Sequence, residues 1–347
     1  MYIMKNKRRG FFYCIYPALI YLGVNLLVSV IFTFIIRFAM FNDGADVSNL
    51  DALYNTIIEY TLRYSTYVTL AITLIAGTIC YLLYRKDEKI RFENAFYNDM
   101  SIKDYLMCLL TGVGIYMLVD VIVVILSGLI NMTGVIEAND EAISMMLNGK
   151  FVLEIIVYCV VAPAVEELVF RGMVFNRMRS MVGTKRAIWA SALIFACMHT
   201  GGLLQMAYAF ALGYLMAWVY SRYCNLKAPV CIHMAFNIMN YVFMIPALAA
   251  FFSGENTLGN VIFYVLAIGL CYISYKYLKN VKHPKIREEF IHRKVTVSNG
   301  DAQIIENSEM TAEETAAAET NVGTDSADEK YPDRNDEEDD QKEENGL

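Results

Sequence analysis

Two adjacent glutamates interrupt an apolar run, Ala162-Pro163-Ala164-Val165-Glu166-Glu167-Leu168-Val169-Phe170-Arg171. A carboxylate at hydrocarbon depth is costly unless it is paired or used chemically. Glu167 and Arg171 stand four residues apart with the acid first, the favoured order for an ion pair on one helix face. Glu166 projects about 100° away around that helix. The spacing divides the labour: Glu167 and Arg171 hold the helix, and Glu166 is free for chemistry. The alternative is a single ion-pair cluster that locks two helices. Of the four histidines, His199 and His233 lie in other apolar segments. Phe195-Ala196-Cys197-Met198-His199 and His233-Met234-Ala235-Phe236-Asn237 each set two such residues one helical turn apart. A glutamate, two histidines and an amide make up an acid–base or metal-assisted site.

The elements that must position these groups are membrane helices. The 347-residue chain is 56% hydrophobic and 19% charged, against roughly 45–50% and 25% in soluble domains. Its long apolar runs lack the period-2 alternation of a membrane barrel. The expected fold is all-α: a polytopic bundle of about eight transmembrane helices near 11–36, 66–84, 105–130, 151–170, 187–203, 204–221, 229–250 and 258–278. The division at Thr200-Gly201-Gly202 rests on the weakest signal. Pro163 removes a backbone donor and should bend or break its helix just before Glu166.

Charge sets orientation. The net charge is −7, but residues 301–347 hold 17 acids and 3 bases, which leaves the remainder at +7. Basic residues cluster at the N-terminus, at 85–91, at 177–186, at 222–227 and after the last span, and the alternate loops are acidic. Positive charge marks the cytoplasmic side, so both termini are expected there. These bases read as topology signals, with no nucleic-acid site. Residues 1–285 are expected to form the helical transmembrane domain, with the motif residues at 163–240. Residues 286–347 are expected to be a cytoplasmic, largely disordered acidic tail. Eight cysteines are scattered without a CxxC pair and read as small helix residues. Asp120 reads as structural, Glu154 as interfacial, Gly213 as a point of close helix packing, and the tyrosines as interface anchors. Counted at ~1.5 Å per residue from the basic ends, Glu166, His199 and Asn237 reach similar depths, and His233 is shallower.

Glu166-Glu167-x-x-x-Arg171, Phe195-x-x-x-His199 and His233-x-x-x-Asn237 together resemble, in order and spacing, the motifs of the CPBP intramembrane proteases. That family includes type II CAAX prenyl endopeptidases and the bacterial Abi and bacteriocin-processing relatives. The resemblance implies hydrolysis of a peptide bond in a membrane-associated, lipidated or peptide substrate. Glu166 with His199 would activate water, His233 and Asn237 would bind the oxyanion, and Glu167 and Arg171 would support them. An alternative implied scheme uses Glu166, His199 and His233 as zinc ligands; the metal-free scheme is favoured because asparagine suits an oxyanion donor better than a zinc ligand. The location implied is a bacterial-type cell membrane. A proton-coupled transporter and a catalytically silent scaffold or immunity protein are the competing functions.

Overall fold

The computed structural model describes residues 10–44, 50–90, 96–130, 151–199, 202–252, 256–282, 284–286, 294–298 and 301–305. The chain is an all-helical membrane bundle with two minor strand pairs. Helix α1 spans Phe11–Asn42, α2 Leu50–Ile90 and α3 Ile102–Ile130. Helix α4 is a composite of Phe151–Glu154, Ile155–Val161, Ala162–Glu167, Leu168–Phe175 and Asn176–Val182. Helices α5 (Thr184–Cys197), α6 (Leu203–Tyr223), α7 (Lys227–Val242), the short α8 (Pro246–Phe251) and α9 (Thr257–Lys279) follow.

Six of the eight expected spans each lie within one helix, whereas 187–203 runs past the end of α5 and 229–250 is divided between α7 and α8. Among the described residues, five helices are long and apolar enough to cross a membrane by length and composition: α1, α2, α3, α6 and α9. Helices α5 and α7 have 14 and 16 residues, short of the roughly 20 that a full hydrocarbon crossing needs. The expected span at 229–250 is cut by Pro246, which starts α8 and cannot donate into the turn before it. The α5/α6 division does fall at Met198–Gly202. Helix α2 begins at Leu50, well before residue 66, the expected start of the span. Its first half carries Asp51, Glu59 and Arg63, so no apolar window marks it. It is held instead against the C-terminal end of α1, where Ile36, Met40 and Tyr60 form a small buried cluster.

Pro163 does not break α4. Its neighbours keep helical torsions, with Val161 at φ −70°, ψ −51° and Glu167 at φ −64°, ψ −35°. Two wide, π-type stretches flank the six residues that carry Pro163 and the glutamates. A π turn absorbs an irregular hydrogen bond without ending the helix, and such turns recur at functional sites.

The main core surrounds the second half of α4, with Phe170, Met173, Phe175, Phe195, Met216 and Tyr223 all buried. Helix α3 packs on α7 and α9, α5 on α6, and α1 on α2 and α4. Arg177 corrects its expected place in a basic loop: it is 1% exposed. It donates to Asp87 (2.8 Å), the Tyr13 carbonyl (2.9 Å) and the Tyr16 hydroxyl (2.9 Å). The clamp ties α1, α2 and α4 together. Glu154 is likewise buried at 2%. Within the segment expected to be an unstructured tail, Lys294–Ser298 pairs antiparallel with Asp301–Ile305. Residues 306–347 and the expected loop at 131–149 lie outside the described residues.

Candidate active site

Helix α4 supplies the two glutamates and Arg171, α5 ends two residues before His199, and α7 supplies His233 and Asn237. Glu167 and Arg171 are each fully buried. Arg171 Nη1 donates to Glu167 Oε1 at 2.8 Å, and Nη2 donates to the Gly213 carbonyl at 2.9 Å. The guanidinium also lies over the Phe195 ring, 4.6 Å from its centroid. A Cβ at residue 213 would stand 3.0 Å from the Phe195 ring and 3.5 Å from Arg171 Nη2. Glycine there lets α6 bring its carbonyl to the arginine.

His233 stands between the glutamates. Its Nδ1 is 3.0 Å from Glu167 Oε1, and its Nε2 is 3.8 Å from Glu166 Oε2. A carboxylate oxygen only accepts, so Nδ1 carries the proton and Nε2 is turned toward Glu166. Glu167 thus orients the histidine while Arg171 neutralises Glu167. Glu166 is the acid left accessible, with 17% of its side chain exposed. Its Oε1 accepts a long hydrogen bond, 3.4 Å, from the Tyr21 hydroxyl of α1.

His199 is fixed by its own helix. Its Nδ1 lies 2.8 Å from the Phe195 carbonyl, so Nδ1 donates and Nε2 keeps a lone pair. The Phe195 ring packs on His199 (4.5 Å between centroids) and on His233 (5.8 Å). No hydrogen bond joins His199 to Glu166. Among the described residues, no three of His, Cys, Asp and Glu form a group able to hold a metal ion. Glu166, His199 and His233 are therefore not gathered as a ligand set in this arrangement.

Asn237 has a partner that follows from Pro163. In a π stretch the donor of residue i meets the carbonyl of i−5; Ala162 N–H bonds the Val157 carbonyl in this way. Pro163 has no N–H to offer the next carbonyl, that of Tyr158. Asn237 Nδ2 donates to it at 2.9 Å. The α7 amide thereby repairs the gap in α4 and keeps a second Nδ2 proton. The sequence points to the proline and to the asparagine, but not to their connection. Nor does it separate Tyr21 from the other tyrosines.

Comparison with known proteins falls on this same segment. Residues 148–239 match the model of the type II CAAX prenyl endopeptidase Rce1-like family. A relative from Lactococcus lactis subsp. lactis (strain IL1403), UPF0177 protein YxdF, is 32% identical over 93 residues, 27% of this chain and 48% of the relative. The chain thus spans about half the length of the curated relative it matches. No solved structure matches the chain. The matched segment carries α4 to α6, most of α7 and all seven motif residues, whereas Tyr21 and the whole of α1, α2 and α9 lie outside it.

Proposed function

We propose that this integral membrane protein is an intramembrane endopeptidase that cuts a membrane-associated peptide or lipidated protein with a glutamate-activated water. One observation carries the reading. Arg171 neutralises Glu167, Glu167 orients His233, and Glu166 beside them is the accessible acid. An ion-pair lock alone would need no accessible carboxylate next to a fixed imidazole.

The chemistry follows from the proton positions. Glu166 takes a proton from water as the oxygen attacks the scissile carbonyl, a role worth ~10²–10⁴ in rate. His199 Nε2 accepts the water's other hydrogen and orients it. Charge builds on the carbonyl oxygen, where His233 donates from Nε2 and Asn237 donates its second Nδ2 proton. The proton held by Glu166 then passes to the leaving amine. No step requires a metal, and the proposal is metal-independent. Both termini facing the cytoplasm belong to the same proposal.

The test compares membranes from cells that make the wild-type protein or Glu166→Gln, by sequencing new peptide ends. Ends that appear with the wild type and vanish with Glu166→Gln support the reading. Identical profiles, with both proteins accumulating equally, reject it.

A further inference from the structure

Outside the motif residues, α1 and α2 enclose a groove of about 430 Å³. Its α1 wall carries Asn25, Ser29, Thr33 and Arg37, and its α2 wall carries Thr61, Ser65 and Thr69. Each set repeats every four residues, along the oblique rows in which helix surfaces pack. These are polar groups on two helices otherwise apolar enough to cross a membrane. The groove's lining ends at Asn25 and Ile72, and each row, continued along its helix, leads toward the segment that carries Glu166. One turn past Asn25 stands Tyr21, which donates to Glu166. Two turns past Thr69 stands Gly77, where an added Cβ would lie 2.8 Å from Val165, the neighbour of Glu166.

The groove has a definite hydrogen-bonding character. Thr33 and Ser65 donate to carbonyls of their own helices, and Ser29 to the Asn25 side-chain oxygen. Their oxygens remain acceptors toward the groove. Donors stand at the two ends. Among the described residues, Asn25 Nδ2 and the Arg37 guanidinium donate to no protein group. Among the described residues, Glu59 pairs with Arg63 and Asp43 accepts from Tyr60. Acceptors in the middle suit backbone N–H groups, and a cation at the far end suits an anion. The four-residue repeat gives ~6 Å between side chains, close to the ~6.7 Å over which an extended chain repeats an edge.

We propose that this groove binds the substrate as an extended peptide, with an acidic side chain or a terminal carboxylate at Arg37. This rests on the endopeptidase reading and names the substrate class. Sixteen residues of helix separate Arg37 from Tyr21, ~24 Å. At ~3.4 Å per residue, the cut bond then lies about seven residues from the anion. An aqueous filling of the same groove is the competing outcome.

The test uses the purified full-length protein in nanodiscs and a library of 16-residue peptides, random except for one acid moved stepwise along the chain. Cuts should cluster about seven residues from the acid, with about a tenfold preference, which corresponds to ~1.4 kcal/mol. Arg37→Glu should transfer the preference to a lysine in that place. Cutting indifferent to the acid's position overturns the proposal. Should neither protein cut any peptide, the endopeptidase reading fails, and the groove is judged by labelling. In Glu166→Gln carrying Thr33→Cys, a sulfonate-bearing thiol reagent should modify the new thiol faster than the native cysteines. The acidic peptide should slow that labelling about tenfold and its lysine counterpart should not. An unreactive thiol, or equal protection by both peptides, overturns the groove; modification without protection leaves water as its occupant.

Discussion

Arg171 and Arg177 stand six residues apart on one helix, and both are buried to 1% or less. They are held in opposite ways. Arg171 finds its acid one turn back on α4, at 2.8 Å, and reaches across only to the Gly213 carbonyl and the Phe195 ring. Arg177 finds its acid on α2, also at 2.8 Å, and takes the Tyr13 carbonyl and Tyr16 hydroxyl of α1. The rings of Tyr13 and Tyr16 cover it at 4.6 and 4.3 Å. The first arginine serves the candidate site, because its acid orients His233. The second serves assembly, because it fastens to the matched segment two helices that lie outside it. Burying a cation costs several kcal/mol wherever it happens. What differs is whether the compensating partners are local or distant.

The comparison can be broken one side at a time. Arg171→Ala should have the largest effect. It leaves Glu167 buried and unpaired, at about 3–5 kcal/mol, and the protein should fail to accumulate in membranes or melt far below the wild type. Next comes Arg177→Ala. Asp87 lies at the end of α2 with 7% of its side chain exposed, so its charge is more readily rehydrated. A loss of about 2–3 kcal/mol is expected, the scale of hydrogen bonds to a charged group. Limited proteolysis should show α1 loosening while 151–242 stays protected. Equal melting of the two variants would erase the distinction.

Asn237→Leu removes the donor to the Tyr158 carbonyl and should cost about 1–3 kcal/mol, with turnover also reduced. Asn237→Asp keeps the size but brings an acceptor to a carbonyl. Thermal unfolding of the two should show the aspartate at least as damaging as leucine. The smallest effect is expected from Tyr21→Phe. Its 3.4 Å bond to Glu166 is long, so stability should change by less than about 1 kcal/mol and turnover by no more than about tenfold. A larger loss of turnover would move Tyr21 from positioning into the chemistry itself.

These two arginines also mark what the sequence could reveal. Local spacing is legible: Glu167-x-x-x-Arg171 and the pairs at 195–199 and 233–237 name the groups before any fold is known. Long apolar runs likewise locate helices α1, α3, α6 and α9. Partners far apart in sequence leave no local trace. Arg177 reads as a loop base because a cation at a helix end usually is one, and Asp87 is 90 residues away. Tyr21 is one aromatic in an apolar helix, and its partner is 145 residues distant. The first half of α2 is hidden because Asp51, Glu59 and Arg63 dilute its hydropathy. Pro163 announces a disturbance, but the π turns and the Asn237 repair appear only once α7 is in place.

The most direct measurement pairs turnover with unfolding for Glu166→Gln and Glu167→Gln, purified in nanodiscs and given a peptide that the wild type cuts. Glu166→Gln should lose at least about a hundredfold in kcat while its melting temperature stays at the wild-type value. Glu167→Gln should lower the melting temperature, because Arg171 and His233 both lose a charged partner. Retained turnover in Glu166→Gln, or a fall in melting temperature equal to that of Glu167→Gln, would contradict the account.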